Sequence, residues 1–302
     1  MAEVTTTVKQ SGGDYTSLVS WEAGEQTDLV TAGDTHVVNC DSFEEDMGIS
    51  YLYVSGWTVD STHYITIQGV NAPAMPWSSG SCFTLRSSVN GSYVFRINVP
   101  YTRVKNLQVF ADSAADVSRV FYVYTGSNDC TVESLVAYRD HAASSSSDAT
   151  IQTGGNNTLF INCISFDAVD SSGNGLGFQA NNTGDEIVNC IAWAVDGRSG
   201  FYGPQNTGLT HLFNCVSFGF RRDNHAILGG WEAGNTNCAT DLSSSASRFD
   251  TNAQYGITDN WTDDANMDFT FSSFSALDGN GVNKSSYTTK DILGNARPST
   301  GA

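Results

Sequence analysis

Six acidic and basic residues that follow a repeated Asn-Cys pair are the chain's strongest candidates for chemistry. They are Asp140, Asp170, Asp196, Arg221, Arg222 and His225. Asp140, Asp196 and Arg221 share an offset of six residues when each repeat is counted from its Cys position, with Ser134 holding that position in the earliest copy. Carboxylates on stacked repeats would lie about 5 or about 10 Å apart, which suits retaining or inverting glycoside hydrolysis. In a lyase, a basic residue of this set would remove the proton beside a uronate carboxyl.

Two plainer interpretations of the same residues stay open: a cation or salt-bridge cluster, and solvated loops. The chain has 32 Asp and Glu against 14 Lys and Arg, a net charge of −18, so aligned acidic residues arise readily from composition alone. The negative charge disfavours nucleic acid and anionic membranes as partners. No cofactor is required by the pattern, and acidic loops are compatible with Ca²⁺.

Aromatic residues offer a second kind of candidate site. Trp231, Tyr202 and Trp57 stand beside glycine or polar turns, so we predict that they are exposed and can stack on sugars. A further set shares one position of the repeat and consists of Tyr138, Phe166, Trp193 and Phe218. We expect this set to form an interior aromatic stack; outside the fold it would instead be a platform for sugars.

The repeat that must position these residues is marked by an Asn-Cys pair. The pair occurs at 39–40, 162–163, 189–190, 214–215 and 237–238, and the last four copies are separated by 27, 25 and 23 residues. Similar eight-residue segments surround it at 159–166, 186–193 and 211–218, and related ones lie at 103–110 and 131–138. In the segment 131–138 we place Glu133 where the others have Asn. Shorter strands are predicted before these segments at 94–97, 120–123, 149–152, 176–179, 200–202 and 226–228.

Each repeat is therefore predicted to be one coil of a stack, bent at its Asn residue. Asn tolerates left-handed backbone better than other residues with a side chain. Coils about 4.8 Å apart would bring successive Asn amides within hydrogen-bonding distance, while each Cys points inward as a small apolar residue. The predicted ladder consists of Asn162, Asn189, Asn214, Asn237, Cys163, Cys190, Cys215 and Cys238.

Three regions are expected along the chain. Residues 1–34 hold an N-terminal strand and a capping helix with Leu18, Trp21 and Leu29 on its apolar side and Asp14 or Thr16 as N-cap. Residues 35–242 form the stacked coils. Residues 243–302, rich in Ser, Asn and Asp, are expected to run back along the body or to cover its C-terminal end, where open strand edges need a cap.

The coils, together with the opening segment 11–18 and the closing segment 291–298, resemble the pectate-lyase-like right-handed parallel β-helix superfamily, in particular its bacterial and phage-associated members. The resemblance implies an all-β, single-stranded right-handed parallel β-helix with a short N-terminal capping helix and an irregular C-terminal segment. Lyases, hydrolases, esterases, phage tailspikes and non-catalytic adhesins share this scaffold, so the resemblance implies no single activity.

Two functions are consistent with the sequence. No basic-then-apolar leader and no run of 18 apolar residues is present, so no signal peptide or transmembrane segment is predicted. This absence, with the low charge content, favours a non-catalytic structural or adhesive protein of a phage-type virion or extracellular surface. Its loops would meet polysaccharide or neighbouring subunits, and a homotrimer is compatible with this role. The alternative is a polysaccharide lyase or glycoside hydrolase that acts on an extracellular polysaccharide through the Asp, Arg and His residues.

Overall fold

The chain folds into a parallel β-solenoid of about 6 turns with two short helices, as the sequence predicts. The computed structural model describes residues 1–48, 51–73, 80–112, 117–140, 149–167, 175–202, 211–228, 237–241, 253–257, 261–263, 268–271, 288 and 296. At 195–200, 202, 220–228, 261–263 and 268–271 it describes the backbone alone. In the described part, no helix is both long and apolar enough to cross a membrane.

The coils have three faces, each a column of parallel strands. The first face contains β1 (Ala2–Val8), β2 (Asp34–Cys40), β5 (Ile65–Gly69), the start of β8 (Arg103–Ala111), the start of β10 (Thr131–Arg139), β12 (Leu159–Ile161), β15 (Glu186–Val188) and β17 (His211–Phe213). The second face contains β3 (Glu44–Asp46), β6 (Phe83–Ser87), the ends of β8 and β10, β13 (Ile164–Asp167), the start of β16 (Ile191–Tyr202), the start of β18 (Val216–Leu228) and β19 (Ala239–Thr240).

The third face holds the shorter strands of the repeat. It contains β4 (Leu52–Val54), β7 (Phe95–Ile97), β9 (Arg119–Val123), β11 (Ala149–Thr153), β14 (Leu176–Ala180) and the ends of β16 and β18. These positions match the shorter strands predicted from the sequence. A separate antiparallel pair, β20 (Trp261–Asp263) and β21 (Asp268–Phe271), follows in the chain.

The bend between the first and second faces is the predicted Asn position. Asn162, Asn189, Asn214 and Asn237 all have φ between 54° and 56°, and the Asn214 amide donates to the Asn189 side-chain oxygen at 2.9 Å. Asn39 is different, since it lies inside the continuous strand β2 and pairs with Gln68. The Asn-Cys pair at 39–40 is therefore not a bend.

The register predicted for the coil at 131–138 was one residue out. Ser134, not Glu133, takes the place of Asn, because its φ is 55° and because Tyr138 pairs with Phe166. Leu135 consequently holds the position that Cys163 holds in the next coil. A serine was not recognised at the bend because the other copies have Asn there.

The cysteine ladder points into the core. All seven cysteines are buried and none forms a disulfide. The carbonyls of Cys163, Cys190 and Cys215 each accept a backbone N–H from the following coil at 2.8 to 2.9 Å. Burial raises the pKa of the Cys190 thiol well above its ordinary value. The stacked thiols are thus apolar packing groups.

We expect Asn189→Ala to lower the free energy of unfolding by about 1–2 kcal/mol, because alanine in the left-handed region is strained and cannot accept the Asn214 amide. Asn189→Gly relieves the strain and should lose less. Urea denaturation checks both variants, and equal losses would contradict the account of the bend.

Thiol accessibility tests the ladder. A disulfide-exchange reagent should label none of the seven thiols in the native protein and all seven in denaturant, because the thiolate is the reacting form and burial disfavours it. Rapid labelling of native Cys163, Cys190 or Cys215, located by peptide mapping, would contradict inward placement.

The N-terminal end is closed by α1 (Leu18–Glu25) and α2 (Leu29–Ala32). Leu18, Trp21 and Leu29 are buried as predicted, but the N-cap of α1 is Ser17 rather than Asp14 or Thr16. The first strand, β1, already pairs in parallel with β2, so the parallel stack begins inside the segment 1–34.

Two contacts show where described parts of the C-terminal segment lie. The Ile257 amide donates to Thr240 of β19 at 3.2 Å, which places Ile257 just beyond the last coil. The Thr288 hydroxyl donates to Glu133 of β10 at 3.4 Å. Thr288 therefore lies beside a coil well before the last one. Most of 243–302 lies outside the described residues, so its predicted boundaries stay a prediction.

Candidate functional site

Five of the six predicted catalytic residues have no described side chain, so their assembly into one site stays a prediction. Asp170 lies outside the described residues. Asp196, Arg221, Arg222 and His225 lie in strands β16 and β18, described by backbone alone, rather than in loops. Gly197 pairs with Phe220, and Ser199 pairs with His225. This shifted register removes the equal offset of Asp196 and Arg221, so their predicted alignment was wrong. β16 advances from Trp193 to Gly197 while β18 advances only from Phe218 to Phe220, and this difference could not be seen from spacing alone.

Asp140 is the one predicted catalytic residue whose side chain is described. It follows β10, and its N–H donates to the Ala111 carbonyl at 3.0 Å. With the register corrected, it stands five residues after the Cys position instead of six. Burial and a hydrogen bond to Asp140 raise the pKa of Tyr138. Asp140 thus contacts a neutral phenol.

Trp57 is not the exposed sugar-binding residue that we predicted. It is 7% exposed and stacks on Trp21 of the capping helix, with ring centroids 5.6 Å apart. Its ring also meets the edge of His36 at 5.3 Å. The neighbouring Gly56 suggested a surface turn, but the cap folds over this position. Trp231 lies outside the described residues.

The repeated aromatic set lies outside the coil and yet is not an open platform. Val136 and Tyr138 of β10 point away from the main core, which holds Leu135 and Ala137. Phe166 stacks face to face on Trp193 with ring centroids 4.4 Å apart. Phe166 and Phe218 are nevertheless buried, and Ile257 belongs to the same cluster. The expected interior stack was wrong, because these side chains form a second apolar cluster on the outer side of the second face.

The outer side of the third face carries a different set of residues. Along one column, Tyr53 pairs with Arg96, Arg96 with Tyr122 and Tyr122 with Gln152. Their chain neighbours Leu52, Phe95 and Phe121 are buried in the core. Strand alternation therefore turns the polar and tyrosine side chains outward. The backbone of this column continues through Gln179 to Tyr202. Tyr202 was one of the predicted sugar-binding residues, and its side chain lies outside the described part of the structure.

These outward residues and their neighbours form what we term the tyrosine–arginine surface. It consists of Tyr51, Tyr53, Tyr93, Arg96, Arg119, Tyr122 and Tyr124.

Arg96 is the centre of this surface. Its guanidinium carbon lies 3.5 Å from the ring centroid of Tyr124, 4.9 Å from that of Tyr53 and 5.1 Å from that of Tyr93. It also donates to the Tyr93 hydroxyl at 3.3 Å and to the Asn98 side-chain oxygen at 3.2 Å. These contacts hold the guanidinium in a fixed orientation.

Arg119 forms the second cationic position of the surface. Its guanidinium carbon lies 5.0 Å from the ring centroid of Tyr122, and its Nε donates to the side-chain oxygen of Gln152. In the described part of the chain, neither Arg96 nor Arg119 forms an ion pair, whereas Arg86 and Lys105 do. The surface is thus locally cationic in a chain of net charge −18.

The surface is open enough to bind a ligand. Tyr51 is 48% exposed and Tyr124 is 37% exposed, and Tyr51 packs against Tyr93 with ring centroids 4.6 Å apart. Exposed tyrosine rings stack on the apolar faces of sugars, while guanidinium, amide and phenol groups bond their hydroxyl and carboxyl groups. Among the described residues, no group of three or more His, Cys, Asp or Glu is placed to hold a metal ion.

Sequence reasoning missed this surface although a signal for it existed. The short segments Val94–Ile97 and Val120–Val123 were identified as strands, and alternation within them turns Arg96 and Tyr122 to the same outer side. Aligning the two segments would have stacked the two residues. The approach of Tyr51, Tyr93 and Tyr124 from beyond the strand ends could not be read from alternation.

Similarity to known proteins is found among solved structures. No protein-family model and no curated protein matches the chain. Among solved structures, the chain is similar to pectate lyase Pel9A, with 14% sequence identity and a TM-score of 0.47 over 84% of this chain. It spans 62% of the length of that protein. The strand pairings described above make this chain a parallel β-helix, the fold that the pectate-lyase-like superfamily shares.

Proposed function

We propose that this protein is a non-catalytic structural or adhesive β-helix of a virion or cell surface, and that it binds glycans through the tyrosine–arginine surface. The observation that carries the proposal is the group of tyrosines around Arg96 on the third face, where Tyr124 and the neighbouring Tyr51 are exposed. A phage-type virion component is the proposed setting.

The build of the coil supports a role in display rather than in chemistry. Strands that pair in register from β4 to β14 make the third face one continuous parallel ladder, and the inward-facing side chains behind it are packed in the core. Side chains on such a face keep fixed separations, so a sugar chain can meet several of them at once without a loop having to order. The rigid face supplies preorganised contacts along its length.

The proposal is tested on a panel of neutral and acidic polysaccharides. We expect retention of the protein by at least one polysaccharide, with no new reducing ends and no absorbance from unsaturated uronates. Tyr124→Ala and Arg96→Leu should each weaken binding about tenfold, the scale of one stacking or charged contact. Release of reducing ends or unsaturated products would overturn the non-catalytic assignment and favour the lyase or hydrolase.

A matched control is available on the first face. Tyr64 stacks on the Arg103 guanidinium, whose carbon lies 3.6 Å from the ring centroid, and the pair lies away from the tyrosine–arginine surface. Tyr64→Ala should leave glycan binding unchanged. Equal losses in Tyr64→Ala and Tyr124→Ala, or no binding to any polysaccharide, would contradict the proposal.

A further inference from the structure

The first strand of the stack has an outer edge that no described strand covers. β1 pairs with β2 on one side, and on the other side it is the terminal strand of the first face. Residues Ala2 to Thr5 are all exposed. An uncovered strand edge presents backbone donors and acceptors that another strand can satisfy.

Part of this edge is already satisfied within the chain. The Thr7 carbonyl accepts the Tyr15 N–H at 3.0 Å, and the Thr7 N–H donates to the Asp14 carboxylate at 2.8 Å. The segment that leads into the capping helix therefore blocks the edge at Thr7, which limits the open part to the residues before it.

The backbone N–H and C=O groups that remain open on the outer edge of β1 belong to Glu3 and Thr5. In a parallel ladder, alternate residues direct both backbone polar groups to the same side. The Val8 carbonyl accepts the Asp41 N–H at 2.9 Å beside β2, whereas Thr7 faces outward. Glu3 and Thr5 share the outward direction of Thr7, and no described group bonds their backbone there.

An apolar side chain lies between the two open residues. Val4 pairs with His36 in the inward column of the first face, where Thr6 and Val8 are buried. Val4 itself is 38% exposed. Two other exposed large apolar residues, Met1 and Val30, lie at the same end of the stack.

We infer that two copies of this chain associate end to end through antiparallel pairing of their β1 strands about a two-fold axis at Val4. In this register Glu3 pairs with the second copy's Thr5 and Thr5 with the second copy's Glu3. Four backbone hydrogen bonds then form, and the two Val4 side chains meet in the closely spaced pair of the ladder.

Two other antiparallel registers of the β1 strands, centred on Thr5 and on Glu3, are less favourable. A register centred on Thr5 would require the edge at Thr7, which Asp14 and Tyr15 already occupy. A register centred on Glu3 would set two carboxylates against each other. The Val4-centred register avoids both conflicts, because its four bonds use only Glu3 and Thr5, and only Met1 falls opposite Thr7. The resulting dimer would carry two tyrosine–arginine surfaces, and a multivalent glycan could bind both.

Analytical ultracentrifugation tests this inference on the full chain, with any purification tag at the C-terminus. From about 1 to about 500 µM, the range suited to a small interface, the wild type should shift from monomer to dimer. Because each copy carries a net charge of −18, the dimer fraction should rise as added salt screens the repulsion. A wild-type protein that stays monomeric throughout, or that forms trimers, would overturn the inference.

Two variants and a control locate the interface. Val4→Lys sets two ammonium groups against each other, and Thr5→Pro removes an outward N–H that an edge strand can lose. Both should remain monomeric with an unchanged melting temperature. Val70→Lys, at a residue that is 59% exposed and lies away from β1, should dimerise like the wild type. Dimers of Val4→Lys and Thr5→Pro as strong as the wild type would overturn the inference, whereas monomeric variants that still bind glycan leave the proposed function intact.

Discussion

Replacing Asp185 with asparagine is expected to remove a large pH dependence of folding stability between about pH 4 and pH 8. Asp185 is buried in the coil, in the inward column that Thr102, Cys130 and Thr158 hold in the preceding coils. Its Oδ1 accepts the Thr158 N–H at 2.8 Å, and its Oδ2 has no hydrogen-bond partner in the described part of the structure. Burial raises the pKa of this carboxyl from 3.8 to about 8.

The direction of the effect follows from the two protonation states. Between pH 3.8 and about 8 the folded protein keeps Asp185 protonated, whereas the unfolded chain has lost that proton. Rising pH therefore favours the unfolded chain, by about tenfold in the unfolding equilibrium constant per pH unit. The stability that the neutral carboxyl supports is complete below pH 3.8 and is lost by about pH 8.

Urea denaturation at several pH values measures this contribution. Asp185→Asn mimics the neutral carboxyl, so it should match the wild type near pH 4 and exceed it increasingly up to about pH 8. Asp129→Asn, at an exposed carboxyl on the turn two coils earlier, controls for the loss of one negative charge. The account fails if the Asp185→Asn and Asp129→Asn variants show the same change with pH.

Replacing Arg139 with leucine is expected to cost about 3–5 kcal/mol of unfolding free energy, because it leaves the Asp167 carboxylate buried without its ion-pair partner. Arg139 and Asp167 are fully buried and paired. They lie in an inward column between Ala111 and Ala194. The small alanines on either side leave room for the two larger side chains inside the coil.

The comparison with an exposed ion pair makes this prediction specific. Arg86 pairs with Glu44 and Asp112 on a half-exposed site, so Arg86→Leu should cost less than about 1 kcal/mol. The double variant Arg139→Leu with Asp167→Leu should be more stable than Arg139→Leu alone, since both buried charges of the pair are removed. Equal losses in Arg86→Leu and Arg139→Leu, measured by urea denaturation, would rule out a buried pair as the cause.

The fold could be predicted from sequence because the bend needs a left-handed backbone, which Asn tolerates better than other residues with a side chain. Asn162, Asn189 and Asn214 mark the left-handed position, and each following Cys marks the inward direction. Where another residue serves at the bend, as Ser134 does, the register slipped by one. A local motif fixes the register only where the motif itself is present.

The candidate site was harder to predict because it depends on neighbours far apart in sequence. Offsets counted from Cys190 and Cys215 assume equal strand lengths, and the register shift between β16 and β18 breaks that assumption. Trp57 looked exposed beside Gly56, yet the capping helix covers it. Arg96 and Tyr122 come together only because their coils stack, which strand alternation predicts once the coils are aligned.

A crystal structure with an oligosaccharide from the best-bound polysaccharide tests the central claim most directly. The account predicts a sugar ring against Tyr51 or Tyr124 on the third face, with a hydroxyl or carboxyl group hydrogen-bonded to the Arg96 guanidinium. A sugar bound instead beside Asp140, or along the aromatic cluster that contains Trp193, with the third face empty, would contradict it.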